Sequence, residues 1–185
     1  MTFMKKHHFL KVDFHSTVKF SPKENTQLNR WLLLASEVIS DLMEEKLLPV
    51  KFNSLDVSLL ICGDARIRNL NRLHRHKDKV TDVLSFPAHD HIRRLKKTNT
   101  PSLFLGDLAI SAPQARRQAH NFDISFFDEF IHLFFHGILH LMGYDHEVSV
   151  KEEKLMESWE KRALDKFSHK KKGSSQPKSQ RTSSL

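Results

Sequence analysis

FFDEFIHLFFHGILHLM, residues 126–142, decides how this chain is to be folded. Phe126, Phe127, Phe130, Ile131, Leu133, Phe134, Phe135, Ile138, Leu139, Leu141 and Met142 leave it almost no polar side. A helix that is apolar all round belongs in the middle of a domain rather than on its surface. Ser125 with Asp128 resembles a capping box at its start. Gly143 is suited to the left-handed conformation that ends a helix. The rest of the chain is therefore expected to wrap around this helix.

Working outward, HFLKVDF (8–14), SLDVSLLIC (54–62), VTDVLSFP (80–87) and SLFLGDLAIS (102–111) read as four strands. Gly106 inside the last of these signals a bulge or a close backbone approach. Between them, Leu28, Trp31, Leu32, Ala35, Val38, Ile39, Leu42 and Met43 recur at helical spacing, with a capped start at Ser21, Pro22 and Glu24 and an expected stop at Pro49. Residues 63–75 and 112–121 read as two shorter helices, and HEVSVKEEKLMESWEKRALDKF (146–167) as the last. Strands alternating with helices predict a single α/β (α+β) domain: a four-stranded mixed sheet, about five helices, and a central buried helix carrying the histidines. The domain is expected over 1–167. Residues 168–185, rich in Ser and Lys, are expected to be a basic disordered tail. The segment 88–101 reads as an exposed loop.

Of the 185 residues, 39% are hydrophobic, enough for a real core. The single cysteine, Cys62, excludes an intrachain disulfide and sits in an apolar run. No apolar run approaches a membrane span and no secretory leader is legible, so a cytoplasmic protein with no membrane association is expected. The net charge of +8 suggests nucleic acid, but six basic and no acidic residues lie within 166–185, which leaves +2 for residues 1–165. Most of the charge thus describes the tail.

Three histidines interrupt the apolar helix and the turn after it. His136 and His140 are four apart, so they project from one face, and His146 follows the Gly143 turn. Two imidazoles at that spacing grip one zinc ion, and a third nitrogen with one open position is the catalytic pattern. The alternative is a set of ordinary core histidines. Burying three imidazoles without a common partner costs about 1–3 kcal/mol for each, which disfavours it. His132, one turn earlier on the same face, is open to three roles: ligand, a group that orients a ligand, or substrate contact. The spacing is also that of zinc peptidases, whose general base is a glutamate directly after the first histidine. Here that position is Gly137, which has no side chain to serve as a base.

HGILHLMGYDH (136–146) resembles the signature of the YbeY family of bacterial metal-dependent endoribonucleases. LNRLHRHKDKVTDVLSFP (70–87) and LFLGDLAIS (103–111) resemble two further blocks of that family, in the same order, across nearly all of residues 8–165. The resemblance implies that His136, His140 and His146 hold one zinc ion per chain and that Arg75 is needed for activity. It implies cleavage of single-stranded RNA in maturation of the 16S rRNA 3′ end and in ribosome quality control. The partners would be 16S rRNA and the small ribosomal subunit with its proteins. Two departures stand out: His74 precedes the arginine where the family has tyrosine, and Val80 stands where it has proline.

The chemistry of the residues agrees. Arg75 offers a permanently charged planar fork suited to phosphate, its plain alternative being a surface ion pair with Asp78. The general base is open among a zinc hydroxide, His132 and Asp145, with Asp145 better suited to orienting His146. Thr81, Asp82 and Ser85 are candidates to line the same cleft, or else cap and brace the strand end. Arg93, Arg94, Lys96 and Lys97 are candidates to track an RNA backbone, or else form a solvated loop. Two other functions compete: a ribosome-associated assembly factor with a mainly structural zinc and weak nuclease activity, and a zinc peptidase, which Gly137 disfavours.

Overall fold

The computed structural model describes residues 9–90, 92–96 and 102–173. Strand β1 (Phe9–Ser16) leads to helix α1 (Pro22–Glu44), β2 (Ser54–Cys62), α2 (Asp64–Arg75) and β3 (Val83–Pro87). A 3-10 turn (Ile92–Arg94), β4 (Ser102–Ser111), α3 (Ala112–Asn121), α4 (Phe126–Leu141) and α5 (Val150–Gly173) complete the domain. The sheet order is β1-β2-β4-β3. β1, β2 and β4 run parallel, and β3 runs antiparallel to β4 at one edge. The expected mixed α/β sheet with five helices is what forms.

Alternation sorts each strand between two faces. Leu55, Val57, Leu59 and Ile61 of β2, with Leu105, Leu108 and Ile110 of β4, enter the larger core beneath α1 and α4. Cys62, Leu84 and Ala109 turn to the other face, where Ile67 of α2 covers them. Helix α5 closes the larger core from outside, packing on both α1 and α4. Helix α4 is thus enclosed by β3, β4, α1, α3 and α5, as its composition requires. Phe130, Phe134, Phe135 and Ile138 are wholly buried, each contributing about 1.5–3 kcal/mol.

Gly106 explains itself. The β2–β4 register slips between Asp56 and Val57, so β4 carries one extra residue there. Gly106 has φ 136°, and a Cβ on it would lie 2.2 Å from the Phe86 carbonyl oxygen of β3. Only glycine lets the two strands approach so closely.

Several boundaries differ from expectation; α5, for one, starts at Val150 rather than 146. Helix α1 ends at Glu44, before Pro49, because Lys46 takes a left-handed φ of 68° and turns the chain back. Strand β3 begins at Val83 rather than 80, because the Asp82 carboxylate accepts the Val83 N–H that a strand partner would otherwise take. The loop after β3 is not wholly exposed: its 3-10 turn buries Ile92 in the larger core. Helix α5 runs six residues past the expected limit at Phe167, to Gly173. Lys171 supplies a reason, with its ammonium 4.3 Å from the Trp31 ring centroid and 2.7 Å from Asp128. The rest of the expected tail, residues 174–185, lies outside the described residues.

Candidate metal centre and cleft

The end of α4 builds the site. Gly143 adopts φ 84°, the expected left-handed turn. The Tyr144 N–H donates to Leu139 O at 3.0 Å and the Gly143 N–H to His140 O at 2.9 Å. This paired arrangement satisfies the last helical carbonyls and fixes the exit direction. Buried Tyr144 then anchors the turn by donating its hydroxyl to the Leu47 carbonyl. Arg93 clamps it from outside: it donates to Gly143 O at 3.2 Å, pairs with Glu152, and lies 4.1 Å over the Tyr144 ring. The chain is thereby brought back so that His146 faces His136 and His140.

The three imidazoles converge. One nitrogen from each of His136, His140 and His146 lies within 4.8 Å of the others, and the Nε2 atoms of His136 and His140 are 3.1 Å apart. Tetrahedral ligands about 2.1 Å from a zinc ion stand roughly 3.4 Å from one another. The three nitrogens are thus close enough together to share one metal ion, and the all-nitrogen donor set suits zinc. Burial, then the neighbouring His136 and His146, push the His140 pKa down to about 4, so its ring is neutral and ready to ligate.

Behind the cluster lies a group that the sequence reading passed over. Glu160 of α5 places one carboxylate oxygen 3.2 Å from His136 Nδ1 and 3.3 Å from His132 Nε2. His132 Nδ1 in turn meets buried Glu129 at 3.4 Å. Burial opposes ionisation of Glu160, but hydrogen bonds from His132 and His136 outweigh it and hold its carboxyl below the usual range. Hydrogen bonds to Glu129 and Glu160 hold His132 well above the ordinary histidine range. His132 is therefore not part of the converging set. The signal in the sequence was Glu160 itself, a carboxylate four residues after Met156 on the apolar stripe of α5.

In front of the cluster is an open cleft of about 750 Å³. Arg75, Thr81, Asp82, Ser85, Arg94, Asp145 and the three histidines all line it, so most of the residues singled out in the sequence do meet there. Arg75 ends α2, exposed, with no hydrogen bond or ion pair among the described residues. Its expected alternative partner is taken: Asp78 forms a two-pronged pair with Arg68, at 2.8 and 2.9 Å. His74 packs its ring edge against Phe86, centroids 5.0 Å apart, so the departure from tyrosine is a packing change.

Other candidates have structural duties. Asp82 accepts from Val83 N–H and Gln118 at 2.8 Å and from Thr81 at 3.0 Å, tying β3 to α3. Burial raises its pKa and these donors lower it further, leaving it below the ordinary carboxylate value. Ser85 donates to Gly137 O at 3.3 Å, bracing β3 on α4. Asp145 accepts the Glu147 N–H at 2.9 Å and makes no hydrogen bond to His146, contrary to expectation, because it closes its own turn. Arg93 is committed to its clamp and is withdrawn as an RNA contact, and Lys96 does not line the cleft. Lys97 lies outside the described residues.

Gly137 answers the question of the missing glutamate. A Cβ there would lie 2.2 Å from Cδ1 of buried Leu108 on β4. The position faces the sheet, so any side chain there has to displace Leu108, and a glutamate would set out toward β4.

The fold and site thus define an α/β protein with a three-histidine centre, able to hold a metal ion, at the floor of an open cleft. Comparison with known proteins places it more closely. The sequence model described as Endoribonuclease YbeY matches residues 18–168. An Endoribonuclease YbeY from Sulfurihydrogenibium sp. is 35% identical over 153 residues, covering 78% of this chain and 97% of the relative. One from Leptospira interrogans is 42% identical over 120 residues, covering 60% and 85%. A solution structure of a Thermotoga maritima protein shares the fold, with TM-score 0.53 and 21% identity, over 94% of this chain and 99% of that one. The chain belongs to the YbeY family.

Proposed function

We propose that this protein is a zinc-dependent endoribonuclease specific for single-stranded RNA, with one ion per chain held by His136, His140 and His146. Its place would be the cytoplasm, in maturation of the 16S rRNA 3′ end and in ribosome quality control. Its partners would be 16S rRNA and the small ribosomal subunit with its proteins. The observation that carries the reading is the meeting, in one open cleft, of three converging imidazoles and Arg75, which has no partner among the described residues. Membership of a family whose relatives bear the name endoribonuclease supplies the reaction class. No described helix is long and apolar enough to cross a membrane.

A bound ion supplies Lewis-acid charge at a phosphoryl oxygen and lowers the pKa of a water toward neutrality. The chain's own residues do the rest. Arg75 would bind a non-bridging phosphate oxygen through its guanidinium fork and neutralise the negative charge that builds on the phosphoryl group in the transition state. Arg94 lies along the same cleft and takes a neighbouring phosphate. Ser85, Asp82 and Thr81 keep the cleft wall rigid through the bonds described above. Residues 1–167, extended to Gly173 by α5, form the working domain.

The test is a paired assay. Wild type, His140→Ala and Arg75→Ala are purified, their bound metal is quantified by mass spectrometry, and each is incubated with a labelled single-stranded RNA carrying the 16S 3′ end. The expected outcome is one zinc per chain in wild type and Arg75→Ala, none in His140→Ala, and cleavage by wild type alone. Equal cleavage by all three would refute the assignment. Retained metal with no cleavage by any would favour an assembly factor with a structural ion.

A further inference from the structure

Of the two helical histidines, His136 has a carboxylate against its second ring nitrogen, that of Glu160. The carboxylate belongs to a different helix, and it also meets His132, which Glu129 holds from the other side. The four side chains form a continuous row running from the buried interior of α4 to the back of the metal cluster. Glu129 is only 2% exposed. Such a row is costly to assemble unless each member holds the next.

We propose that Glu160 is the positioning residue of the metal centre, accepting the His136 Nδ1–H so that Nε2 presents its lone pair to the ion, with His132 and Glu129 holding Glu160 in place. The inference rests on the zinc reading above and deepens it. The geometry is specific: the nitrogen facing Glu160 is Nδ1, at 3.2 Å, while Nε2 of the same ring faces His140 at 3.1 Å. A proton on Nε2 would therefore point at a neighbouring lone pair instead of an ion, and Glu160 removes that tautomer. Carboxylates behind metal-bound imidazoles act in this way, raising ligand basicity and fixing ring orientation. His132 thereby receives its role, one turn from the ligands on the same helix face yet outside the cluster.

The experiment compares wild type, Glu160→Ala and Glu160→Gln by three readouts. Zinc affinity is measured by competition with a chromophoric chelator, the tautomer of His136 by ¹⁵N NMR on metal-free protein, and the fold by melting in chelator. Wild type should show His136 with its proton on Nδ1. Glu160→Ala should lower zinc affinity by about 10–100-fold and let the proton move to Nε2. Glu160→Gln, whose carbonyl still accepts the Nδ1–H, should keep the tautomer and lose less affinity than the alanine variant. Wild-type affinity in Glu160→Ala with an unchanged tautomer overturns the proposal. So does equal loss in the Ala and Gln variants, which marks a packing role. If Glu160→Ala does not fold, Glu160→Met, which keeps the bulk and offers no oxygen acceptor, takes its place under the same two criteria. Failure of wild type itself to bind zinc sinks the metal reading, and the tautomer measurement still judges Glu160 on its own.

Discussion

Replacing Gly137 by Ala should destabilise the protein, although the same change in an open helix would stabilise it. Removing glycine from a helix interior gains about 1 kcal/mol. Here the new methyl would sit 2.2 Å from Leu108 Cδ1, with Leu108 Cδ2 at 3.2 Å and Cγ at 3.3 Å behind it. Leu108 is 1% exposed and packed in the larger core, so the new methyl has to displace a buried side chain. Overpacking of this kind costs about 1–3 kcal/mol, so the net effect is a loss of up to about 2 kcal/mol. The Leu108→Ala background supplies the discriminating measurement. That change costs about 2–5 kcal/mol alone, but it empties the space the new methyl needs. Gly137→Ala should then become stabilising, by up to about 1 kcal/mol. Urea midpoints for the four proteins, measured in chelator, close the double-mutant cycle. Gly137→Ala stabilising the wild-type background as much as the Leu108→Ala background would refute the steric explanation. The glutamate of the peptidase pattern would then need another reason for its absence.

Zinc at about 100 times its dissociation constant should stabilise wild type by roughly 2.7 kcal/mol, a rise in Tm of about 5–10 °C, and leave His140→Ala unmoved; calorimetry with and without chelator reads this. Glu24 caps α1 through Ser21 and pairs with Arg116 at 2.8 Å, and the Ser21 N–H first, then Arg116, bring its pKa down to about 2. Because the folded pKa lies below the unfolded one, the stability it adds is present above pH ~4.5 and fades as pH falls toward 2. Glu24→Ala should therefore cost about 1 kcal/mol at pH 7 and nearly nothing at pH 2, by urea melts across that range. A chain cut after Phe167 should melt lower than one cut after Gly173, by roughly 1 kcal/mol, because the shorter one lacks the Lys171 contacts with Trp31 and Asp128. Equal melting would place the end of the cooperative unit at Phe167.

What the sequence made legible was whatever depends on local spacing. The apolar saturation of residues 126–142 placed α4 at the centre, and the His136–His140 spacing with Gly143 placed the third histidine opposite the first two. Capping at Ser21 and Ser125 is likewise a matter of three residues. What escaped depends on contacts between distant segments. Glu160 is 24 positions from His136, and its place on the α5 stripe does not say which residue it faces. Arg93 sits in a run of basic residues, yet Glu152 and the Gly143 carbonyl, 59 and 50 positions away, claim it for the turn. Asp145 was misread for the opposite reason. Its short side chain reaches its own backbone first, before any neighbouring ring.

The charges lining the cleft bear on why an ion and an arginine belong together here. Leaving the imidazoles aside, the described residues that line the cleft include two arginines, Arg75 and Arg94, and four carboxylates, Asp82, Asp90, Asp145 and Glu147. The protein groups alone thus give it two more negative charges than positive. A phosphodiester entering such a cleft meets repulsion, strongest where low dielectric leaves it least screened. The hydrogen bonds to Asp82 and Asp145 soften this without cancelling it. A divalent ion on the three histidines supplies the two missing positive charges at the floor, leaving Arg75 free to act on the phosphate rather than offset the wall. On the proposed function, the ion would therefore ease the entry of RNA as well as supply the chemistry. The carboxylate proposed to serve the ion through His136, Glu160, stands behind that ring and does not line the cleft.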